Sequence, residues 1–263
     1  MRTSSTLAEA IECDDLGAGP PVLLVHDVAF GPAAFACTAE ALRSHARVIV
    51  AHRRGYGRSP GRPAGARPED HAAHLLALLD RLDIERVTGV GVSGGATILA
   101  AFAIANPERC SAIVLHEPAL GPLAPGVHAL CARLARTVSA SPSPAVGADL
   151  VASTLVGPET WGSLGTAGRA EVRRSAAVVR QEMSLHAHFA PTAIEVAVMG
   201  GTPLIAAVGG RSGPERREAA GVLVRLAGAA TVLVPGAGNV PHLENPLALA
   251  TLITTQVAAA AAA

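Results

Sequence analysis

Six short apolar runs recur along this chain, and helix-patterned stretches separate the first four of them. That alternation limits the fold more than any single residue does. VLLVH (22–26), RVIVA (47–51), RVTGVGV (86–92), AIVLH (112–116), PLIAAVG (203–209) and TVLVP (231–235) are short, β-branched and bounded by Gly, Pro or charge. This is the pattern of buried strands. Between them, AAFACTAEALRSH (33–45), PEDHAAHLLALLDRL (68–82) and GATILAAFAIANPE (95–108) place apolar residues at helical spacing. Pro68 followed by Glu69 and Asp70 marks a helix start. The alternation predicts an α/β fold, a mostly parallel doubly wound sheet with helices on both faces.

The pattern lapses over 118–202. PALGPLAPG opens this stretch, helical spacing returns near 126–138, 146–156 and 168–187, and SASPSP (139–144) reads as a loop or hinge. The expectation is a helical cap (118–202) inserted into a core made of 1–117 and 203–263. It would lie over the carboxyl ends of the strands, where open α/β sheets bind ligands. The Ala-rich segment after 246 should be helical, and its last six alanines should fray.

Half the residues are apolar but only 2% are aromatic, so the core must be built from Ala, Val and Leu. Twenty-one basic residues, all Arg, balance twenty-one acidic ones, which implies no attraction to nucleic acid. Cys13, Cys37, Cys110 and Cys131 have no C-x-x-C spacing. Free thiols in a reducing cytosol fit better than a disulfide framework. The opening MRTSSTLAEAIECDD lacks an apolar leader, and no stretch reaches the ~18 apolar residues of a membrane span. A soluble cytoplasmic protein is expected, with no membrane partner. The sequence sets no oligomeric state, and a homodimer is compatible with it.

The sharpest motif is GVGVSGGA (89–96), in which Gly91-Val92-Ser93-Gly94-Gly95 fits G-x-S-x-G. Between a strand and a helix this pattern reads as a nucleophile elbow. Small neighbours at ±2 permit the tight turn, and Ser93 Oγ is held clear of the sheet beside the positive helix end.

With these residues in place the chain resembles the α/β-hydrolase superfamily, particularly its small cap-bearing members, over nearly its whole length. VLLVHDVAFGPAAF resembles the strand and oxyanion loop, AHRRGYGRS the R-G-x-G-x-S turn, IVLHEPAL the strand entering the cap, and GAGNVPHLENP the loop that carries the catalytic His. The resemblance implies Ser93 as nucleophile and the amides of Val28 and Gly94 as oxyanion hole. It implies His26 as structural or as a pocket wall. No cofactor and no metal is called for.

Three departures stand out. Where the family reads His-Gly, this chain reads His26-Asp27. Asp27 then either bonds its own loop or acts on substrate as an acid or base with a pKa raised by burial. No carboxylate sits at the common acid position near Ser212, whereas Glu117 occupies the alternative position one strand earlier, as an orienting acid or as an anchor of the cap's first turn. At the position of the family's catalytic His stands Asn239, which takes no proton; His242, three residues on, is a substitute base or a structural residue. His71 and His74 read as a solvated helix face and His186 and His188 as cap surface. Trp161 and Phe189 are candidates to line the pocket, or to pack the cap. Arg53 and Arg54 would hold loops by salt bridges.

Three functions remain open. One is a hydrolase of an ester, thioester, lactone or C–C ketone with an atypical, incomplete triad. Another is a non-hydrolytic cyclase, isomerase, dehydratase or lyase using Asp27, Ser93 and Asn239 as acid–base or hydrogen-bonding groups. The third is a silent ligand-binding protein. In each the partner is a small apolar molecule, and the composition suits a bacterial metabolite enzyme.

Overall fold

The computed structural model describes residues 11–59, 61, 67–186 and 188–261. In chain order the first half contains β1 (Cys13–Leu16), β2 (Pro21–Val25), α1 (Ala36–Leu42), β3 (Arg47–Ala51), α2 (Pro68–Arg81), β4 (Val87–Val92), α3 (Gly94–Ala105) and β5 (Cys110–His116). Five helices follow without a strand: α4 (Pro125–Ala140), α5 (Pro144–Ser163), α6 (Thr166–Arg174), α7 (Ala176–His186) and α8 (Ala193–Val198). The sheet resumes with β6 (Leu204–Gly209), α9 (Pro214–Ala227) and β7 (Ala230–Val234), before α10 (Pro241–Glu244) and α11 (Pro246–Ala261).

The strands form one sheet in the order β1-β3-β2-β4-β5-β6-β7. All neighbours pair in parallel except β1, which runs antiparallel to β3. Alternate residues of each central strand go to different cores. Leu23, Val25, Ile49, Ile113 and Leu115 join α2, α3 and α9 on one face. Val22, Leu24, Val48, Val50 and Val114 join α1 and α11 on the other. Both faces are therefore dry, which is why the strands read as unbroken apolar runs. The α2 start works as expected: Pro68 sits in its first turn and Asp70 accepts from the Arg67 amide at 2.8 Å.

β1, α8 and α9 fall outside the sequence reading. β1 is CDDL, two of its four residues carboxylates, a polar pattern that suits an edge strand. The alanines through Ala261 extend α11 instead of fraying, in keeping with the high helix propensity of Ala. A third apolar cluster joins Val28, Ala29 and Phe30 of the loop after β2 to Leu130, Val138, Val151, Val179 and Met183 of α4, α5 and α7. It holds these helices over the carboxyl ends of β2 and β4. No helix among the described residues is long and apolar enough to cross a membrane.

Candidate active site

Ser93 links β4 to α3 with φ 51° and ψ −118°, in the left-handed half of backbone space that a non-glycine residue enters only when held there. Its amide donates to His116 of β5 at 2.8 Å, pinning the turn to the next strand. The flanking glycines are required by close approach. A Cβ on Gly91 would lie 2.6 Å from Ala96 Cα, and one on Gly95 would collide with the carbonyl oxygens of Val25 and His26. Neither the Gly94 amide, at the start of α3, nor the Val28 amide donates a hydrogen bond to any other described residue. A Cβ on Gly94 would lie 2.6 Å from Val28 Cγ1, so the two segments adjoin. Two free N–H groups beside a helix N-terminus can hold an oxyanion.

The two segments open onto a cavity of about 420 Å³, counting its mouth. Apolar residues of α4, α5 and α7 wall it, including Leu130, Leu134, Leu155 and Met183, and its polar lining is Ser93, Thr97, Glu117, His186 and Arg216. An apolar wall with a few polar groups suits a small molecule, and the enclosed space itself is narrow, about 30 Å³.

Glu117 stands at the tip of β5 with φ 53° and is buried. Its Oε1 accepts from the Gly209 amide at 2.9 Å and from the Ser212 hydroxyl, and its Oε2 accepts from Asn239 Nδ2 at 2.8 Å. Burial pushes this carboxyl up, but His116, Arg216 (3.5 Å) and the Ser212 and Gly209 donors outweigh it and hold the group below its ordinary value. Glu117 is thus an anion clamped beside Asn239. Asn239 borders a neighbouring cleft with Arg211, Ser212 and Arg216, and is not among the residues lining the Ser93 cavity. No side chain among the described residues hydrogen-bonds to Ser93 Oγ.

Asp27 does not line the cavity and so does not reach a substrate there. It is fully buried; Oδ1 accepts from the amides of Ala29 (2.6 Å) and Phe30 (3.1 Å), and Oδ2 lies 3.0 Å from His242 Nε2. Burial alone would raise its pKa, but the His242 hydrogen bond and charge and the Ala29 amide win, and the shift is downward, opposite to that required of a proton donor. The same pairing occupies His242, whose ring stacks on Phe35 at 4.6 Å, away from the cavity lining. Asp27 and His242 therefore brace the loop after β2. His26 is also buried, with Nδ1 donating to the Asp27 carbonyl at 2.7 Å and its ring edge-on to Tyr56. It forms no wall of the cavity. Phe189 packs in the core of α3 and α8, and Trp161 lies under the Arg169 guanidinium; neither lines the cavity.

Two histidines depart from expectation in the opposite sense. His71 is buried, 3.1 Å from Glu182 Oε1. His186 is buried too and borders the cavity, with Cε1 and Nε2 each 3.3 Å from where a Gly94 Cβ would be. His188 is exposed, as expected. Glu182 of α7 is the hub of this region. Arg53 NH1 donates to both its oxygens at 2.9 and 2.8 Å, and Arg53 NH2 donates to the Asp27 carbonyl at 2.8 Å. The Tyr56 hydroxyl donates to Val28 O at 2.8 Å and lies 3.2 Å from Glu182 Oε2. Burial works against the Glu182 anion, yet Arg53 and His71 hold its pKa well below the usual carboxylate range. Arg53 thus does more than hold a loop: it ties the loop after β2 to α7.

Glu182 and His186 were within reach of sequence reasoning as an i, i+4 pair on one helix. Thr97 and Arg216 carried no such signal. Among the described residues no group of three or more His, Cys, Asp or Glu side chains is placed to hold a metal.

A family model for the alpha/beta hydrolase fold matches residues 20–192. Among curated proteins, the chain is 40% identical over 116 residues to a 2-hydroxy-6-oxo-2,4-heptadienoate hydrolase of Pseudomonas putida, a match covering 41% of this chain and 42% of that protein. It is 37% identical over 106 residues to a 2-hydroxymuconate semialdehyde hydrolase of a Pseudomonas species, covering 38% and 37%. The matched segment thus spans about two fifths of these relatives' length. Among solved structures, an enol-lactonase from Burkholderia xenovorans superposes with TM-score 0.76 at 21% identity, covering 94% of this chain and 96% of that one. A meta-cleavage product hydrolase from Pseudomonas fluorescens superposes with TM-score 0.75 at 18% identity, covering 95% and 94%. The strand order, the strained serine between β4 and α3, and the family match across about two thirds of its length agree: this chain belongs to the α/β-hydrolase fold family.

Proposed function

We propose that this protein is a serine-dependent hydrolase of small, largely apolar carbonyl compounds, its substrate an ester, an enol lactone or a ketone cleaved at an adjacent C–C bond. The observation that carries the reading is Ser93, held in a strained turn at the cavity wall between the free amides of Val28 and Gly94. In this reading 118–202 is a cap that closes the substrate over Ser93, and the remainder is the catalytic core. Ser93 Oγ attacks the carbonyl carbon, and the oxygen that gains charge is received by the two amides. The C–O or C–C bond then breaks, and water releases the acid from Ser93. The names of the relatives support the substrate class, since they include a dienoate hydrolase and a semialdehyde hydrolase of similar sequence and an enol-lactonase of the same fold.

Asn239 stands in this reading where the family places its catalytic His, still bonded to the acid Glu117 but unable to accept a proton. That pairing is the observation favouring a second reading, in which the same cavity hosts a non-hydrolytic isomerisation or lyase step. Water labelled with oxygen-18 separates the two. Incubation with an enol lactone and with a 6-oxo-dienoate should give acids carrying one labelled oxygen, and Ser93→Ala should abolish this. Conversion without label would favour the second reading. No conversion of either compound, or full activity in Ser93→Ala, would defeat the first.

A further inference from the structure

We propose that the base for Ser93 is His186, supplied from α7 above the cavity, with Glu182 one turn earlier as its positioning residue. The inference rests on Ser93 being the nucleophile and supplies the proton acceptor that Asn239 cannot.

Three observations point to it. First, His186 is the one imidazole among the residues lining the cavity that holds Ser93, and its ring edge packs against Gly94, the next residue. Second, its two nitrogens have different surroundings. Nε2, on the ring edge beside Gly94, lies 3.8 Å from the Glu182 carboxylate, whereas Nδ1 is buried and hydrogen-bonds to nothing among the described residues. An anion beside Nε2 favours the tautomer with its proton there, which leaves the Nδ1 lone pair to accept. Third, the acid is held firmly, since Arg53 and Tyr56 of the segment after β3 and His71 of α2 fix Glu182 from two other segments. The other candidates fail on placement: His242 is spent on Asp27, and His116 donates to the Gly238 carbonyl at 2.9 Å.

The step balances without a further reagent. As Oγ bonds to the carbonyl carbon, its proton passes to Nδ1 and the carbonyl π electrons move to oxygen. When the tetrahedral intermediate collapses, the proton passes from Nδ1 to the departing oxygen or carbon. In the second half water attacks the acyl group, giving its proton to Nδ1 and then to Ser93. Glu182 stays ionised throughout. The charged groups facing His186 are Glu182 on its own helix, Arg53 from the segment after β3 and His71 from α2, with Glu117 and Arg216 across the cavity. Burial, reinforced by Arg53 and His71, outweighs Glu182 and lowers the His186 pKa, so the ring is neutral at pH 7.

The test follows the rate at which a fluorophosphonate labels Ser93 across pH, with Ser93→Ala as blank. The wild type should label, slowing as pH falls below the usual imidazole range. His186→Gln should label slower by about 10²-fold or more and lose that dependence, while Glu182→Gln should shift the dependence and slow labelling less. Equal labelling by wild type and His186→Gln would overturn the inference and leave Ser93 as nucleophile. Absence of labelling in the wild type would overturn both. Should His186→Gln not fold, the wild type still decides: a boronic acid forming an anionic adduct on Ser93 should raise the pKa of the His186 ring, read by nitrogen-15 NMR. An unchanged ring titration would overturn the inference.

Discussion

Removing Arg53 should cost this protein far more than removing any surface arginine. Its guanidinium and the Glu182 carboxylate are each about 1% exposed, so neither charge can fall back on water. Arg53→Met keeps the stem volume but leaves an anion with only the imidazoles and Tyr56 beside it, and frees the Asp27 carbonyl. Breaking one side of such a buried pair costs roughly 3–5 kcal/mol. At roughly 2–4 °C per kcal/mol for a chain near this size, the melting temperature should drop by about 6–20 °C. Glu182→Leu should cost a similar amount, because Arg53 then becomes the stranded charge. The double variant should cost clearly less than the two singles summed, since no unpaired charge remains. Urea unfolding at pH 7 followed by circular dichroism measures all three. Additive losses, or a single loss below about 1 kcal/mol, would refute the idea that these charges are dry and mutually dependent. The sign of the pH effect follows from the lowered Glu182 pKa. Its contribution is complete above the unfolded value of about 4.5 and is lost as pH falls through the lower folded value.

Further outcomes are expected elsewhere. Gly95→Ala should give insoluble or unfolded protein, because the new Cβ meets the backbone of β2, which cannot yield as a side chain could; a soluble, cooperatively melting variant would contradict the elbow packing. Asp27→Ala strands the His242 ring and two loop amides and should cost about 3–5 kcal/mol in the same urea assay. In the parent, that stability is present above about pH 3.8 and lost as pH falls below it. In a His186→Gln background, Asn239→His puts an imidazole where Glu117 Oε2 now takes its 2.8 Å hydrogen bond. Fluorophosphonate labelling of Ser93 should then recover at least about tenfold; no recovery would mean that position 239 is not aimed at the serine.

Five of the six parallel strands were legible because they are buried on both faces, which leaves an apolar run with no helical period, whereas β7, at the sheet edge and largely exposed, was legible from its short β-branched run alone. β1 was not, since an edge strand of sequence CDDL satisfies its backbone on one side only and needs few apolar residues. The elbow could be read at Ser93 because its cause is local: a turn that forbids Cβ atoms two residues away on either side. What decides the chemistry is not local. Asn239 meets Glu117 across 122 positions, His242 meets Asp27 across 215, and Arg53 meets Glu182 across 129. Spacing in the chain carries no trace of such pairs. His242 and His186 look alike as lone histidines, and only the fold shows one consumed by a carboxylate and the other lining the cavity of Ser93 with one nitrogen unpaired.

The central claim is that Ser93 forms a covalent bond to the substrate's acyl group. Rapid acid quenching during turnover of a slow ester or enol lactone, followed by intact mass and peptide mapping, tests it most directly. The expected result is a transient mass increase equal to the acyl group, located on Ser93 and absent from Ser93→Ala. Turnover at the wild-type rate by Ser93→Ala, or an adduct on another residue, would contradict it.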